Sequence, residues 1–293
     1  MTSVVRLSAP AKINLGLEVL GRRPDGFHAL ATVYQEIALA DELEFRPDAD
    51  LRLEAEGDPT PPGEENLVVR AARALAAAAG IAPRATIRLT KRIPSRAGLG
   101  GGSSDAATTL LGLDRLWGTA VGAARLREIA ARLGSDVPFF LTGGTAFGHR
   151  RGECVHRLPP VPELGLVLIA PYAGLSTPEV FRAGAFALTP PRNCNIMRRF
   201  AHYQRTGDGL SELVHNDLQV PAERLLPEIQ DWRYRLQGLG ATCAALSGSG
   251  SAVFGLFPAV EIATRAAGSL RGQARVFATA VVRRDPGAAA ARD

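Results

Sequence analysis

Between residues 94 and 104 the chain reads Pro94-Ser95-Arg96-Ala97-Gly98-Leu99-Gly100-Gly101-Gly102-Ser103-Ser104, and few folds accommodate such a segment. Residues 86–90 ahead of it alternate with the period of a strand. Behind it, Ala106, Leu110, Leu113 and Trp117 form one helical stripe. Glycines let the backbone approach a ligand closely and adopt positive φ. The N–H groups that open the following helix then point at one spot, where the helix dipole adds partial positive charge. The segment predicts an anion site suited to a nucleotide's phosphates. Ser103 and Ser104 are placed to cap the helix, bind phosphate or reach a magnesium ion. The alternative is a flexible turn before a capped helix. A Walker loop is excluded, because no lysine lies within residues 98–104. A dinucleotide fingerprint is disfavoured, because Ser103 stands where its third glycine belongs and Asp114 lies too near for its acidic residue.

Two further segments share this character. In Ala9-Pro10-Ala11-Lys12-Ile13-Asn14-Leu15, apolar residues alternate through Val19, so Lys12 and Asn14 project together from one strand face. The run Leu246-Ser247-Gly248-Ser249-Gly250-Ser251 is a small-residue loop between strands. Taken singly, the lysine reads as a solvated edge residue and the loop as a turn. Asp136, in Gly134-Ser135-Asp136-Val137-Pro138, precedes an apolar helix-like run and reads either as a helix cap or as a functional carboxylate. Thr177-Pro178 reads as an N-cap followed by proline at the first helical position. Helices are predicted over 67–79, with Asn66 as cap and Gly80 as stop, and over 123–133, 196–205, 227–236 and 261–270. Strands are predicted over 32–37, 43–46, 51–56, 86–90, 164–170, 241–246, 252–257 and 274–282. This mixture predicts an α+β fold divided near residue 155.

Composition narrows the class. With 293 residues, 46% hydrophobic and 22% charged, the chain can bury a full core, in two modest domains or one large one. A net charge of +5 suits an anionic small-molecule substrate. No basic block carries interleaved aromatics, so nucleic acid is not expected as a partner. No window of 18 apolar residues occurs, so no membrane span is expected. Residues 1–10 lack the pattern of a signal peptide. Cys154, Cys194 and Cys243 are dispersed, which predicts neither a disulfide framework nor a zinc site, and a cytoplasmic protein is expected.

Together, residues 10–15, 98–107 and 246–251 resemble the three signature motifs of the GHMP kinases, the family named for galactokinase, homoserine kinase, mevalonate kinase and phosphomevalonate kinase. Residues 23–28, 65–68, 134–139 and 215–218 narrow the resemblance to the branch whose substrate is 4-diphosphocytidyl-2-C-methyl-D-erythritol. The likeness runs from about residue 6 to 282. It implies a two-domain α+β fold. The N-terminal ATP-binding domain, like ribosomal protein S5 domain 2, would span residues 1–155. The ferredoxin-like C-terminal domain would span 156–285, with the active site in the cleft between the two and a flexible tail over 286–293.

The resemblance also implies a reaction, in which ATP phosphorylates the 2-hydroxyl of the methylerythritol moiety in the non-mevalonate isoprenoid pathway. Magnesium would be carried with ATP rather than at a fixed protein site, near Ser104. Asp136 is implied as the catalytic base or as the group that orients the hydroxyl, with Lys12 beside it. Phe27, His28 and Phe181 are implied at the cytidine, and Asn14 at the diphosphate or erythritol. Thr177 serves either the substrate or its own helix. The loop from Pro94 through Ser104, flanked by Asn66 and Lys91, is implied to bind ATP. Two positions depart from the pattern: Phe27 stands where many members carry tyrosine, and Arg96 where a small residue is usual. A homoserine- or mevalonate-type kinase is the nearest alternative, opposed by Phe27-His28. A non-catalytic nucleotide or sugar sensor is another, opposed by the presence of Lys12 and Asp136.

Overall fold

The computed structural model describes residues 4–184, 186 and 194–284. The expected tail, 286–293, lies outside the described residues. Two compact units divide the chain. One takes the chain up to residue 11 with 39–95 and 100–141; the other takes 12–38, 96–99 and the chain from 142 onward. The long strands β1 (Val5–Arg22) and β2 (His28–Arg46) contribute residues to both.

In the first unit, β3 (Leu51–Gly57) runs parallel to β4 (Ala85–Lys91), and β4 pairs antiparallel with the end of β2. Strand β4 alternates as its sequence predicts: Ala85, Ile87 and Leu89 are buried while Arg88 is exposed. Helix α1 (Leu67–Ala79) keeps its predicted bounds. Asn66 Oδ1 accepts from Val68 N at one end, and Gly80 closes the other at φ 68°. Helices α2 (Gly101–Trp117), α3 (Ala123–Leu133) and α4 (Val137–Thr142) complete the unit. Helix α2 lies close on β2, where a Cβ at Gly112 would enter the Phe45 ring.

The second unit contains a hairpin of β5 (Thr145–Arg150) and β6 (Cys154–Arg157), with β5 also paired to the start of β2. It continues through β7 (Gly165–Ala170), α5 (Thr177–Ala183), α6 (Ile196–Thr206), α7 (Leu210–Leu213), β8 (His215–Asn216), α8 (Gln219–Leu225) and α9 (Glu228–Gly238). It ends with β9 (Cys243–Leu246), β10 (Val253–Phe257), α10 (Val260–Gly268) and β11 (Arg275–Ala280). These last strands form an antiparallel sheet in the order β11-β7-β10-β9, the ferredoxin-like arrangement expected for this half. Its core joins Val167 and Ile169 of β7 to Trp232 and Leu236 of α9 and to Ala263 and Ala266 of α10. No described helix is long and apolar enough to cross a membrane.

Two strand expectations change. The predicted strands over 32–37 and 43–46 are one strand, because no glycine or proline interrupts residues 38–42. Strand β1 is buried without interruption from Ala9 to Leu17, so Lys12 and Asn14 lie in the interior rather than at a solvated edge.

Candidate active site

The glycine loop is anchored from beneath at its helical end. Gly100 holds the cap position of α2 at φ 69°, and no side chain caps the helix. That corrects the cap expected from Ser103 or Ser104: the helix already begins at Gly101, and both serines lie inside it. The uncapped first turn leaves N–H groups for an anion. Ser104 Oγ is buried and has no partner among the described residues. At the other end of the loop, Ser95 N donates to Asp58 Oδ2 (2.7 Å) and Ser95 Oγ to the Pro59 carbonyl (2.8 Å). Pro94, at the start of the loop, is buried.

Lys91 is enclosed by carboxylates. Its ammonium is buried between Asp41 and Asp105, 2.9 Å from Asp105 Oδ2. Asp41 Oδ1 also accepts from Arg92 N (2.5 Å) and Ile93 N (2.8 Å). A Cβ on Gly101 would lie 2.7 Å from Lys91 Nζ. The Lys91 charge is met by two carboxylates at the start of α2. Burial raises the Asp105 pKa to about 7, opposed by Lys91 and reinforced by Asp41. Asn66 is likewise committed at both ends, accepting from Val68 N and donating to the Pro61 carbonyl (3.0 Å), so the capping role describes its side chain.

Residues 96–99 of the loop belong to the second unit, where the other two motifs meet them. Lys12 is 2% exposed. Its Nζ donates to the Gly98 carbonyl (2.8 Å) and to Asn14 Oδ1 (2.7 Å), and its backbone N donates to the Leu99 carbonyl (3.0 Å). Ser247 Oγ donates to the same Gly98 carbonyl (3.0 Å), and Ala252 N to the Ala97 carbonyl (3.0 Å). Gly98 sits at φ 74°, and a Cβ there would collide with the Ser247 carbonyl, so only glycine fits. Asn216 straps the third motif in place: Nδ2 donates to the Leu246 (2.9 Å) and Gly248 (2.8 Å) carbonyls while Oδ1 accepts from Leu218 N. Arg96 is exposed, with an unusual positive φ of 54°.

In the same unit, the His28 and Phe181 rings stack at 4.6 Å, and Phe186 meets His28 edge-on at 5.8 Å. Burial lowers the His28 pKa, and Arg22 lowers it further. Phe27 is 53% exposed and carries the Arg151 guanidinium 4.9 Å from its ring centroid. The structure thus brings His28 and Phe181 together and adds Phe186, while Phe27 pairs with Arg151. Thr177 is not the cap of α5; Ser176 holds that position, and Thr177 Oγ1 lies 2.7 Å from Ser249 Oγ in the third motif. Asp136 is half-buried in the turn before α4, where its carbonyl accepts from Phe139 N (3.2 Å).

Sequence reasoning missed Thr32, Asp41, Asp105 and Phe186. The chain has 34 basic residues, only two of which are lysine, Lys12 and Lys91. Both are buried at this loop.

Two sequence families match. The one described as GHMP kinases N terminal domain covers residues 66–144, and GHMP kinases C terminal covers 199–271. A 4-diphosphocytidyl-2-C-methyl-D-erythritol kinase of Pelotomaculum thermopropionicum is 46% identical over 271 residues, covering 92% of this chain and 94% of that protein. The protein of the same name from Moorella thermoacetica is 45% identical over 273 residues, covering 92% and 95%. Among solved structures, a 4-(cytidine 5'-diphospho)-2C-methyl-D-erythritol kinase superposes with a TM-score of 0.80 at 40% identity, covering 94% of this chain and 99% of that one. A homoserine kinase from Cytophaga hutchinsonii shares the fold, with a TM-score of 0.73 at 18% identity over 96% of each chain.

Proposed function

The chain belongs to the GHMP kinases, and we propose that it transfers the γ-phosphoryl group of ATP to the 2-hydroxyl of 4-diphosphocytidyl-2-C-methyl-D-erythritol. The products are the 2-phosphate and ADP. The observation that carries this reading is the match to relatives of that name, up to 46% identical over 92% of this chain. Homoserine and mevalonate kinases share the fold at 18% and 14% identity. We assign residues 1–155 to the N-terminal domain and 156–285 to the C-terminal domain, and we place the reaction in the cytoplasm.

In the proposed mechanism the substrate hydroxyl oxygen forms a bond to the γ-phosphorus, and the bond from that phosphorus to the β,γ-bridging oxygen breaks. Asp136 orients the hydroxyl and receives its proton as the new bond forms. Lys12, oriented by the Gly98 carbonyl and the Asn14 amide, places positive charge where the attacking oxygen gains negative charge. The glycine loop holds the triphosphate through the uncapped turn of α2. Magnesium would arrive with the nucleotide and would neutralise phosphate charge there, with the unpartnered Ser104 Oγ as the side-chain oxygen suited to hold it. His28 and Phe181, with Phe27, take the cytidine, and Asn14 and Thr177 take the rest of the substrate.

ADP release from Mg-ATP tests this reading. Turnover is expected with 4-diphosphocytidyl-2-C-methyl-D-erythritol, not with homoserine or mevalonate, and Asp136→Ala is expected to lower kcat by about a thousandfold or more. Turnover with homoserine or mevalonate alone would keep the family and overturn the substrate.

A further inference from the structure

We propose that Thr32 is a positioning residue that fixes the orientation of the Asn14 amide and, through it, the Lys12 ammonium. The inference rests on the proposed role of Lys12. Three buried side chains form a directed chain of hydrogen bonds: Lys12 Nζ to Asn14 Oδ1, Asn14 Nδ2 to Thr32 Oγ1, and Thr32 Oγ1 to the Gly16 carbonyl, each 2.7 Å. Thr32 and Asn14 are 1% and 2% exposed, so no bulk water substitutes for a lost partner.

The direction of the chain is forced at both ends. The Gly16 carbonyl can only accept, so the Thr32 hydroxyl must donate its single proton there. Its lone pairs are then left to accept, and only the NH2 end of the Asn14 amide can satisfy them. At the other end the Lys12 ammonium can only donate, so it requires the amide oxygen. A flipped Asn14 would set NH2 against NH3+ and oxygen against oxygen. Thr32 therefore acts as the switch-setter of the amide: while its hydroxyl is committed to Gly16, Asn14 presents oxygen to Lys12. Valine has the shape of threonine but neither donates nor accepts, so it leaves the amide without that instruction.

The test compares Thr32→Val, Thr32→Ser and Asn14→Leu, singly and with Thr32→Val and Asn14→Leu combined. Thr32→Val is expected to fold, to keep the KM for ATP within about twofold, and to lose roughly tenfold to a hundredfold in kcat, the scale of a hydrogen bond to a charged group. Thr32→Ser is expected to restore most of the rate. Thr32→Val is expected to add nothing in the Asn14→Leu background, because it acts through Asn14. In NMR spectra of the full chain, the Asn14 side-chain NH2 signals are expected to resist solvent exchange in wild type and Thr32→Ser and to lose that protection in Thr32→Val. Where Thr32→Val fails to fold, Thr32→Cys, with a weakly bonding sulfur, replaces it.

The proposal is overturned by an unchanged kcat in the folded variant, by multiplicative losses in the double variant, by failure of serine to rescue, or by persistent NH2 protection. If wild type phosphorylates no acceptor, the reading of function fails, and the NH2 signals alone decide the role of Thr32.

Discussion

Asp105→Asn probes a charge arrangement the chain has no obvious reason to tolerate. Asp41, Lys91 and Asp105 are all buried, and with every group ionised they hold one net negative charge. Desolvation raises the Asp105 pKa to about 7, with Lys91 opposing. In an unfolded chain an aspartate has a pKa of about 3.9. Between those values the folded protein keeps a proton that the unfolded chain has released. The contribution of this group to stability is therefore complete at acid pH and is lost as pH rises through about 7. Each pH unit in that window weakens folding by about 1.4 kcal/mol, and the full loss has a ceiling on the order of 4 kcal/mol. Asparagine keeps the shape and still offers Lys91 an oxygen, but it does not titrate. Its NH2 would take the place of Asp105 Oδ1, which is buried without a partner among the described residues. That adds a penalty of about 1–3 kcal/mol that does not depend on pH. The pH dependence of the difference, rather than its size at one pH, is thus the test. Urea unfolding of both proteins across a pH series isolates it, because groups remote from the triad titrate alike in each. The variant is expected to gain steadily on wild type as pH rises toward neutrality and then to level off. A difference that stays constant across the series refutes the reasoning, since Asp105 would then be ionised throughout.

Two further outcomes follow from the site. Lys12→Arg is expected to fold but to lose on the order of a hundredfold or more in kcat, because a planar guanidinium cannot replace a compact ammonium held between the Gly98 carbonyl and Asn14; steady-state kinetics with a urea-unfolding control check this. Burial keeps His28 neutral to more acidic pH than a free imidazole, so the KM for the cytidine substrate is expected to be flat near neutrality and to rise only well below it. His28→Asn should remove that acid limb from a KM–pH profile.

What the sequence made legible was local. Helix α1 could be bounded to the residue because its cap, its stop and its stripe are neighbours in the chain: Asn66, Gly80 and the apolar positions between. The β4–loop–α2 unit was legible for the same reason, since strand period and helix period meet at the glycines. The residues whose surroundings the sequence hid are those whose partners lie far along the chain. Lys91 looks like a phosphate ligand until Asp41, 50 residues away, and Asp105, 14 residues away, are seen to hold it. Thr177 looks like a cap until Ser249, 72 residues on, is found against it. Asn14 is visible as a polar residue in an apolar strand, but nothing in the period of β1 names Thr32, on another strand, as the residue that orients it.

One signal was nevertheless available without any structure, in what the composition lacks. The chain uses arginine for all but two of its 34 basic residues, Lys12 and Lys91, and the two side chains are not interchangeable where a cation is closely held. A guanidinium is planar, wide and always charged, and it needs room for five donors. An ammonium is a point donor that fits between two or three oxygens. The two lysines occupy such places: Lys12 between the Gly98 carbonyl and Asn14, and Lys91 between two carboxylates under Gly101. Their scarcity singles the two out in the sequence, and their burial is seen in the structure. Lys12 donates to the Gly98 carbonyl and to Asn14, whereas Lys91 lies between Asp41 and Asp105 at the start of α2, and only the three-dimensional neighbours distinguish the two settings.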